Sequence, residues 1–199
     1  MEIEIKLGPL TAAQAEALFA DRHRLPPDGP TRSIRIQTTY YDTTEGQFAR
    51  ARQTLRLRQE DERRVCTFKT ALSGFSRLEL EREADTIEKG AAELALDPQM
   101  PEDARAALRT GTLVPVCGAR FTRRTRPCRV GTLTLELCLD EGELFRGRRT
   151  VPLREAELEL TQGDPAALEQ LALELTAAYD APVCHLSKQQ RALALKEEA

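Results

Sequence analysis

The strongest constraint on the fold is a repeated alternation of charged and apolar residues in short segments. Successive side chains of a strand point to opposite faces, so each such segment predicts a strand with one charged face and one apolar face. Within most segments two neighbouring charges on that face also share one sign. The same-sign sets are Glu2 with Glu4, Arg56 with Arg58, Glu79 with Glu81, Glu136 with Asp140, and Glu157 with Glu159. A sheet built from these strands therefore carries sorted charge on one face.

Sorted charge of this kind needs a partner of opposite sign. Two carboxylates at i and i+2 lie roughly 7 Å apart along a strand, and neighbouring acidic strands crowd like charges unless a cation or protons neutralise them. A carboxylate cluster without His or Cys suits Mg²⁺ or Mn²⁺. Strands bearing paired arginines supply the opposite requirement, because guanidinium groups bind phosphoryl oxygens with two hydrogen bonds. An extended polyphosphate that is bridged by a divalent cation satisfies both.

These patterns predict one α+β domain over residues 1–199. We expect about eight strands, taken from nine candidate segments, that close into an antiparallel β-barrel, or tunnel, with a charged interior and with helices packed outside. Helices are predicted from Thr11 to about His23, from Ala91 to about Arg109 in two pieces, from Asp164 to about Tyr179, and from about Ser187. The predicted strands are 1–8, 33–41, 53–59, 64–70, 77–84, 120–126, 132–140, 143–146 and 154–160.

Composition excludes several classes of protein. The net charge of −3, from 29 basic and 32 acidic residues, gives no reason to expect nucleic acid or an anionic membrane as a partner. The five cysteines contain no Cys-x-x-Cys pair, which argues against a disulfide framework or a zinc knuckle, and only two histidines are present for a histidine-rich metal site. With neither a leader pattern nor a long apolar run, we predict a cytoplasmic protein. The cysteines, Cys138 included, are expected in the core.

Several motifs occur together in one order along the chain. They are Glu2-Ile3-Glu4-Ile5-Lys6, Tyr40-Tyr41-Asp42-Thr43, Leu55-Arg56-Leu57-Arg58, the strand of Lys69, Arg77-Leu78-Glu79, the Arg-rich strand from Arg120, Leu139-Asp140-Glu141-Gly142, Glu155-Ala156-Glu157-Leu158-Glu159 and Ser187-Lys188-Gln189-Gln190-Arg191. In this order and spacing the chain resembles the CYTH family of triphosphate tunnel metalloenzymes over essentially its whole length. The family includes inorganic triphosphatases, thiamine triphosphatases and class IV adenylyl cyclases built on an eight-stranded antiparallel barrel.

The resemblance implies roles for individual residues. The implied metal-side carboxylates are Glu2, Glu4, Asp140, Glu157 and Glu159. The implied catalytic residues are Glu2, Glu4, Lys6, Glu157 and Glu159. The implied phosphate-binding residues are Lys6, Arg56, Arg58, Lys69, one of Arg123 and Arg124, and Lys188. Arg191, one turn later on the last helix, either binds the substrate or caps the barrel.

Some assignments stay open at this stage. The family's arginine on the strand after the helical segment falls at Arg123 or at Arg124, and a shift of one residue changes the face. Glu79, Glu81 and Glu136 either line the tunnel or pair with its arginines. Glu155 is expected near the rim. The oligomeric state is not readable from the sequence.

The leading functional hypothesis is a Mg²⁺- or Mn²⁺-dependent hydrolase that cleaves inorganic triphosphate, or a longer polyphosphate, in the tunnel. In that reaction a second metal or a carboxylate of the Glu157 strand orients the water. The alternatives are an adenylyl cyclase acting on ATP, a thiamine triphosphatase or other organic triphosphatase, and a non-catalytic polyphosphate-binding module. The few aromatic residues and the absence of Trp argue against a stacking site for a base or thiamine.

Overall fold

The computed structural model describes residues 3–71 and 77–196. The chain folds into eight strands and six helices in this part. The strands are β1 (Ile3–Leu7), β2 (Arg32–Thr43), β3 (Gln53–Glu60), β4 (Arg63–Ala71), β5 (Arg77–Glu83), β6 (Leu113–Val130), β7 (Leu133–Arg146) and β8 (Arg149–Gln162). The helices are α1 (Ala12–Ala20), α2 (Gln47–Arg50), α3 (Ile87–Leu94), α4 (Glu102–Thr110), α5 (Pro165–Tyr179) and α6 (Lys188–Leu193).

The strands form one antiparallel sheet in the order β1-β8-β7-β6-β2-β3-β4-β5. The prediction of eight antiparallel strands is confirmed, but the prediction of a closed barrel is wrong: the sheet curls into an open half-barrel, and within residues 3–71 and 77–196 no ladder joins β1 to β5. These edge strands have only five and seven residues, against 18 in β6. Both also carry carboxylates on the inner face, and closing the barrel would bring these like charges together.

Strand register assigns the charged residues to the inner, concave face. Directly paired residues share a face, and the pairs Glu4↔Glu159, Arg123↔Asp140 and Lys69↔Glu79 connect charged positions across the sheet. The acidic pairs lie on β1, β7 and β8, whereas Arg56 and Lys69 lie on β3 and β4. The charged positions predicted from the alternation therefore share one face, where uncharged residues of β2 lie between Arg123 and the arginines of β3.

The outer, convex face is covered by two apolar clusters under the helices. One packs the β1, β7 and β8 side chains against α1 and α5, with Leu135, Leu137 and Leu158 fully buried. The other packs Leu55 and Phe68 of β3 and β4 against α2, α3 and α4. Side-chain caps begin the helices as predicted: Thr11 forms a capping box before α1, and Asp164 caps α5, which has proline in its first turn.

Helix α6 departs from the prediction that helices pack only outside. Its residue Ala192 is buried in a third apolar cluster with Ile36, Tyr40, Phe121 and Leu153, and the strand register places these side chains on the concave face. The helix therefore covers one end of the concave face. Ser187 begins it through a capping box with Gln190.

Strand β7 runs without interruption through Gly142, where two separate strands were predicted. A Cβ atom at Gly142 would lie 2.2 Å from the carbonyl oxygen of Arg120 and 2.6 Å from the Cα of Phe121. Glycine thus permits β6 and β7 to approach closely here, and it does not mark a turn.

The short helix α2 was not predicted; Asp42 caps it by accepting hydrogen bonds from the backbone N–H of Phe48 and Ala49. No helix within the described ranges is both long and apolar enough to cross a membrane.

The close approach at Gly142 predicts a specific loss of stability. We expect Gly142→Ala to lower the free energy of unfolding by about 1–3 kcal/mol, because β6 must shift to admit the methyl group. Thr132→Ala, at an exposed turn position just before β7, is the control and should change it by less than about 0.5 kcal/mol. Urea unfolding followed by circular dichroism measures both variants, and equal stabilities would show that the strands do not meet this closely.

Candidate functional site

Two overlapping groups of carboxylates lie on the concave face where β1, β7 and β8 meet. The Glu4 group contains Glu4, Glu157 and Glu159, and the Lys188 group contains Asp140, Glu155 and Glu157. Within each group one oxygen of every side chain lies within 4.8 Å of the others. The Lys188 group is buried throughout, whereas Glu4 and Glu159 of the other group are partly exposed. The structure therefore brings together four of the five predicted metal-side carboxylates; Glu2 lies outside the described residues.

Arg123 of β6 holds the acidic strands together. Its Nε and Nη2 atoms each donate to Asp140 at 2.7 Å, forming a two-point ion pair. The same guanidinium contacts Glu157 and reaches Glu159 at 3.4 Å. Burial opposes the charge of Arg123, but the hydrogen bond and the charges of Asp140 and Glu157 outweigh it and raise its pKa. The arginine is thus held as a permanent cation among the carboxylates.

Lys188, the first residue of α6, is inserted into the Lys188 group. Its Nζ lies 2.7 Å from Asp140, 2.5 Å from Glu155 and 2.8 Å from Glu157. Burial lowers the pKa of Lys188, but the three carboxylates outweigh burial and hold the pKa well above its usual range. Conversely, burial raises the pKa of Glu157, whereas Lys188, Arg123 and Lys6 together hold it well below its usual range.

The opposite side of the concave face is basic. Lys69 pairs with Glu79 at 2.8 Å, while the Arg56–Glu79 distance is 3.8 Å and the Arg58–Glu60 distance is 3.4 Å. Burial and then the neighbouring charges of Arg56 and Arg123 lower the pKa of Arg58.

Buried N–H donors also remain unused on this side. Within the described part of the chain, the Nε atoms of Arg56 and Arg58 are buried without an acceptor. A buried donor without a partner costs free energy. This surface therefore fits an anion that offers several oxygens.

The structure distinguishes between the two candidate arginines of β6. Arg123 pairs in register with Ile34 and Asp140 and points to the concave face. Arg124 lies on the convex face, where it contacts Glu16 and lies 4.8 Å from the centroid of the Phe19 ring. Arg124 therefore does not join the cluster, and its expected phosphate contact is not supported by this geometry.

The remaining predicted residues lie at the margins of the cluster. Lys6 contacts Glu4, and Arg191 contacts Glu155. Glu79 pairs with Lys69, and Glu81 accepts a hydrogen bond from Thr67 at 3.0 Å. Glu79 therefore lines the face and also lies 3.8 Å from an arginine, Arg56, whereas the contact of Glu81 is with a threonine hydroxyl.

Two residues of the concave face were misplaced by sequence reasoning. Glu155, expected near the rim, is fully buried in the Lys188 group. Cys138, expected in the apolar core, lies on the concave face opposite Glu157. Burial raises the pKa of the Cys138 thiol. In both cases the alternation itself was the missed signal: Glu155 shares a face with Glu157, and Cys138 shares a face with Asp140.

Removing the ammonium of Lys188 should leave the repulsion among Asp140, Glu155 and Glu157 unbalanced. We expect Lys188→Met to lower the free energy of unfolding by about 3–5 kcal/mol at neutral pH, because breaking one partner leaves buried charges unpaired. The loss should shrink toward pH 4. In the parent protein the lowered pKa of Glu157 stabilises the fold at pH values above the usual pKa of a glutamate, and this stabilisation is lost as the pH falls. In the variant, carboxylates that lack Lys188 protonate more readily, which relieves their repulsion, so the two proteins become more alike in stability.

Lys89→Met is the matched control, because Lys89 is exposed on α3. It should leave stability within about 0.5 kcal/mol of the parent at both pH values. Urea unfolding at pH 8 and pH 4 measures the differences. A loss for Lys188→Met that is the same at both pH values would contradict the electrostatic account of this group.

Several solved structures share the curled sheet. HpAC1 of Hippeastrum, described as a candidate adenylyl cyclase with a dominant triphosphatase activity, is 22% identical with a TM-score of 0.61, and the match covers 96% of this chain and 95% of that one. A candidate adenylate cyclase of Bacillus halodurans is 19% identical with a TM-score of 0.57 and 94% coverage of both chains. PH1819 of Pyrococcus horikoshii is also 19% identical, with a TM-score of 0.57 and coverage of 97% and 98%.

Identities this low show a shared fold, and a search of curated proteins gives no match. Comparison with known protein families matches residues 1–193 to the CYTH domain. The match agrees with the charged concave face and with the order of its motifs. The chain therefore belongs to the CYTH family, whose members act as metal-dependent triphosphatases or cyclases.

Proposed function

We propose that the protein hydrolyses inorganic triphosphate to pyrophosphate and phosphate on its concave face, with Mg²⁺ or Mn²⁺ as cofactor. The observation that carries the proposal is the division of this face. Buried guanidinium N–H donors without acceptors lie on β3, and closely spaced carboxylates lie on β1 and β8. A linear polyanion that carries a divalent cation satisfies both halves at once. Longer polyphosphate meets the same chemical requirements.

The donor set fits a hard divalent cation, because the Glu4 group offers oxygens only and its ligand atoms lie within 4.8 Å of one another. We assign the cation to Glu4, Glu157 and Glu159, with Glu2 as a further expected ligand. When bound, the cation supplies Lewis-acid polarisation of a phosphoryl oxygen. Asp140 contacts Arg123 and Lys188, as Glu157 also does, but it does not belong to the Glu4 group, so its proposed role is to position these two cations rather than to bind the metal.

The basic residues would bind the phosphate chain. Arg56, Arg58 and Lys69 form one wall, and Arg123 lies close enough to Arg58 to lower its pKa. Lys6 joins from β1, beside the Glu4 group. Charge that develops on the transferred and leaving oxygens is stabilised by these fixed cations, which need no reorganisation during the reaction. Lys188 and Arg191 are held by carboxylates, and we propose that they shape the α6 end of the site.

Hydrolysis adds the oxygen of water to the terminal phosphorus and breaks the anhydride bond, so that phosphate and pyrophosphate leave. A carboxylate of β8 is suited to orient the water, because Glu157 and Glu159 border both the cation group and Arg123. We further propose that residues 1–199 form one domain and that the protein acts in the cytoplasm; the five free cysteines support only the second part of this proposal.

A substrate panel tests the reaction. With Mg²⁺ or Mn²⁺, inorganic triphosphate should release phosphate and pyrophosphate in equal amounts, and faster than longer polyphosphate, ATP or thiamine triphosphate release phosphate. Formation of cyclic AMP and pyrophosphate from ATP, without phosphate release from triphosphate, would replace the proposal with a cyclase. Tight triphosphate binding without turnover with either metal would instead identify a binding module.

Glu4→Gln tests the cation assignment. The substitution removes one charged ligand while keeping the side-chain shape, so we expect kcat for triphosphate to fall by about 100-fold or more. Glu88→Gln is the control at an exposed position of α3, and it should leave kcat unchanged. Phosphate release is measured over a Mg²⁺ titration with circular dichroism as the check on folding. A folded Glu4→Gln variant with parental turnover would refute the assignment.

A further inference from the structure

Strand β2 carries a polar side chain, Thr38, at the boundary between the basic and the apolar parts of the concave face. The strand register pairs Thr38 directly with Arg58 of β3 on one side and with Ala119 of β6 on the other. Directly paired residues share a face, and Ala119 belongs to the apolar cluster that α6 joins. No residue of β2 was predicted to bind the substrate, so the position of Thr38 adds a strand to the basic side.

The hydroxyl of Thr38 is buried without a hydrogen-bond partner among the described residues. Thr67 provides the comparison, because it is also 1% exposed and is paired with Arg56 on the same face. Its hydroxyl donates to Glu81 at 3.0 Å. A buried hydroxyl without an acceptor costs free energy that an apolar group of the same shape does not. Thr38 therefore carries a donor whose acceptor the described part of the chain does not supply.

The unused donor of Thr38 lies beside two others. The Nε atoms of Arg56 and Arg58 are also buried without an acceptor in the same part of the chain, and these arginines share one face of β3. Cross-strand partners have Cβ atoms about 4.5–5.5 Å apart, so the Thr38 hydroxyl and the Nε of Arg58 can reach the oxygens of one phosphoryl group. A hydroxyl also adds a donor here without adding positive charge beside the arginines.

We propose that Thr38 is a further phosphate-binding residue, whose hydroxyl donates to the phosphoryl group that the Nε of Arg58 binds. This role rests on the proposed function and extends the phosphate site from β3 onto β2. A phosphoryl group offers several charged acceptor oxygens, so binding satisfies the hydroxyl and the guanidinium N–H together. The unpaired donor of the free protein thereby gains its hydrogen bond in the complex.

Calorimetric titration of the full chain with the non-hydrolysable analogue imidotriphosphate and Mg²⁺ tests this role. Thr38→Val keeps the side-chain shape and removes the hydroxyl, so the Kd should rise by about tenfold or more, because the lost acceptor is charged. Thr38→Ser keeps the hydroxyl and should stay within about threefold of the parent Kd. Thr39→Val is the matched control, because Thr39 lies on the convex face and pairs with Leu57, and it should leave the Kd unchanged.

Urea unfolding checks that the variants fold. Thr38→Val should be at least as stable as the parent, because it removes an unsatisfied buried hydroxyl. A marked loss of stability would show that the hydroxyl already has a partner in the free protein, and this would overturn the proposal. A folded Thr38→Val variant with the parental Kd would overturn it too, as would a Thr38→Ser variant that binds as weakly as Thr38→Val, since packing would then explain the loss.

Failure of the proposed reaction gives a different result from failure of the Thr38 role. Phosphate release from inorganic triphosphate is assayed separately with the same proteins. Binding of the analogue that depends on the Thr38 hydroxyl, without hydrolysis of triphosphate, would refute the reaction and support the role of Thr38. Hydrolysis by the parent with unchanged analogue binding in Thr38→Val would refute the role of Thr38 alone. A parent protein that does not bind the analogue would overturn both.

Discussion

The buried carboxylates of β7 and β8 are the feature on which the rest of the structure depends. Asp140, Glu155 and Glu157 are withdrawn from water on neighbouring strands, where unbalanced charge is far more costly than at the surface. Arg123 and Lys188 supply the balance from a third strand and from the last helix. Because Lys188 is buried and the Arg123 side chain is only 12% exposed, the group works as one electrostatic unit and links β6, β7, β8 and α6.

This requirement explains the position of α6 and the asymmetry of the concave face. The helix contributes apolar contacts through Ala192 at one end, while Lys188 anchors it to the carboxylates. The carboxylates of the Glu4 group lie farther toward the β1 edge, whereas on β3 the Nε atoms of Arg56 and Arg58 are buried without an acceptor among the described residues. The concave face therefore presents clustered carboxylates on one side and unused guanidinium donors on the other, as expected of a face that binds a cation together with a polyanion.

Much of this face was predictable because strand alternation is a short-range property. Because side chains alternate with a period of two, Glu4 shares a face with Lys6, and Arg56 shares a face with Arg58, whatever the topology of the sheet. The choice between Arg123 and Arg124 was not predictable, because arginines occupy both registers of β6 and only the pairing with Asp140 decides between them. Whether the barrel closes, and where α6 packs, depend on the edge strands and on long-range contacts, which the local pattern of residues does not encode. Cys138 was misjudged because residue type was given more weight than its place in the alternation.

A structure with Mn²⁺ and a non-hydrolysable triphosphate analogue tests the central claim most directly, because the anomalous scattering of manganese locates the cation without assumption. The account predicts a manganese peak within bonding distance of Glu4, Glu157 and Glu159, with phosphate oxygens accepting from the Nε atoms of Arg56 and Arg58. Manganese bound away from the concave face, or an analogue that makes no contact with these arginines, would contradict it.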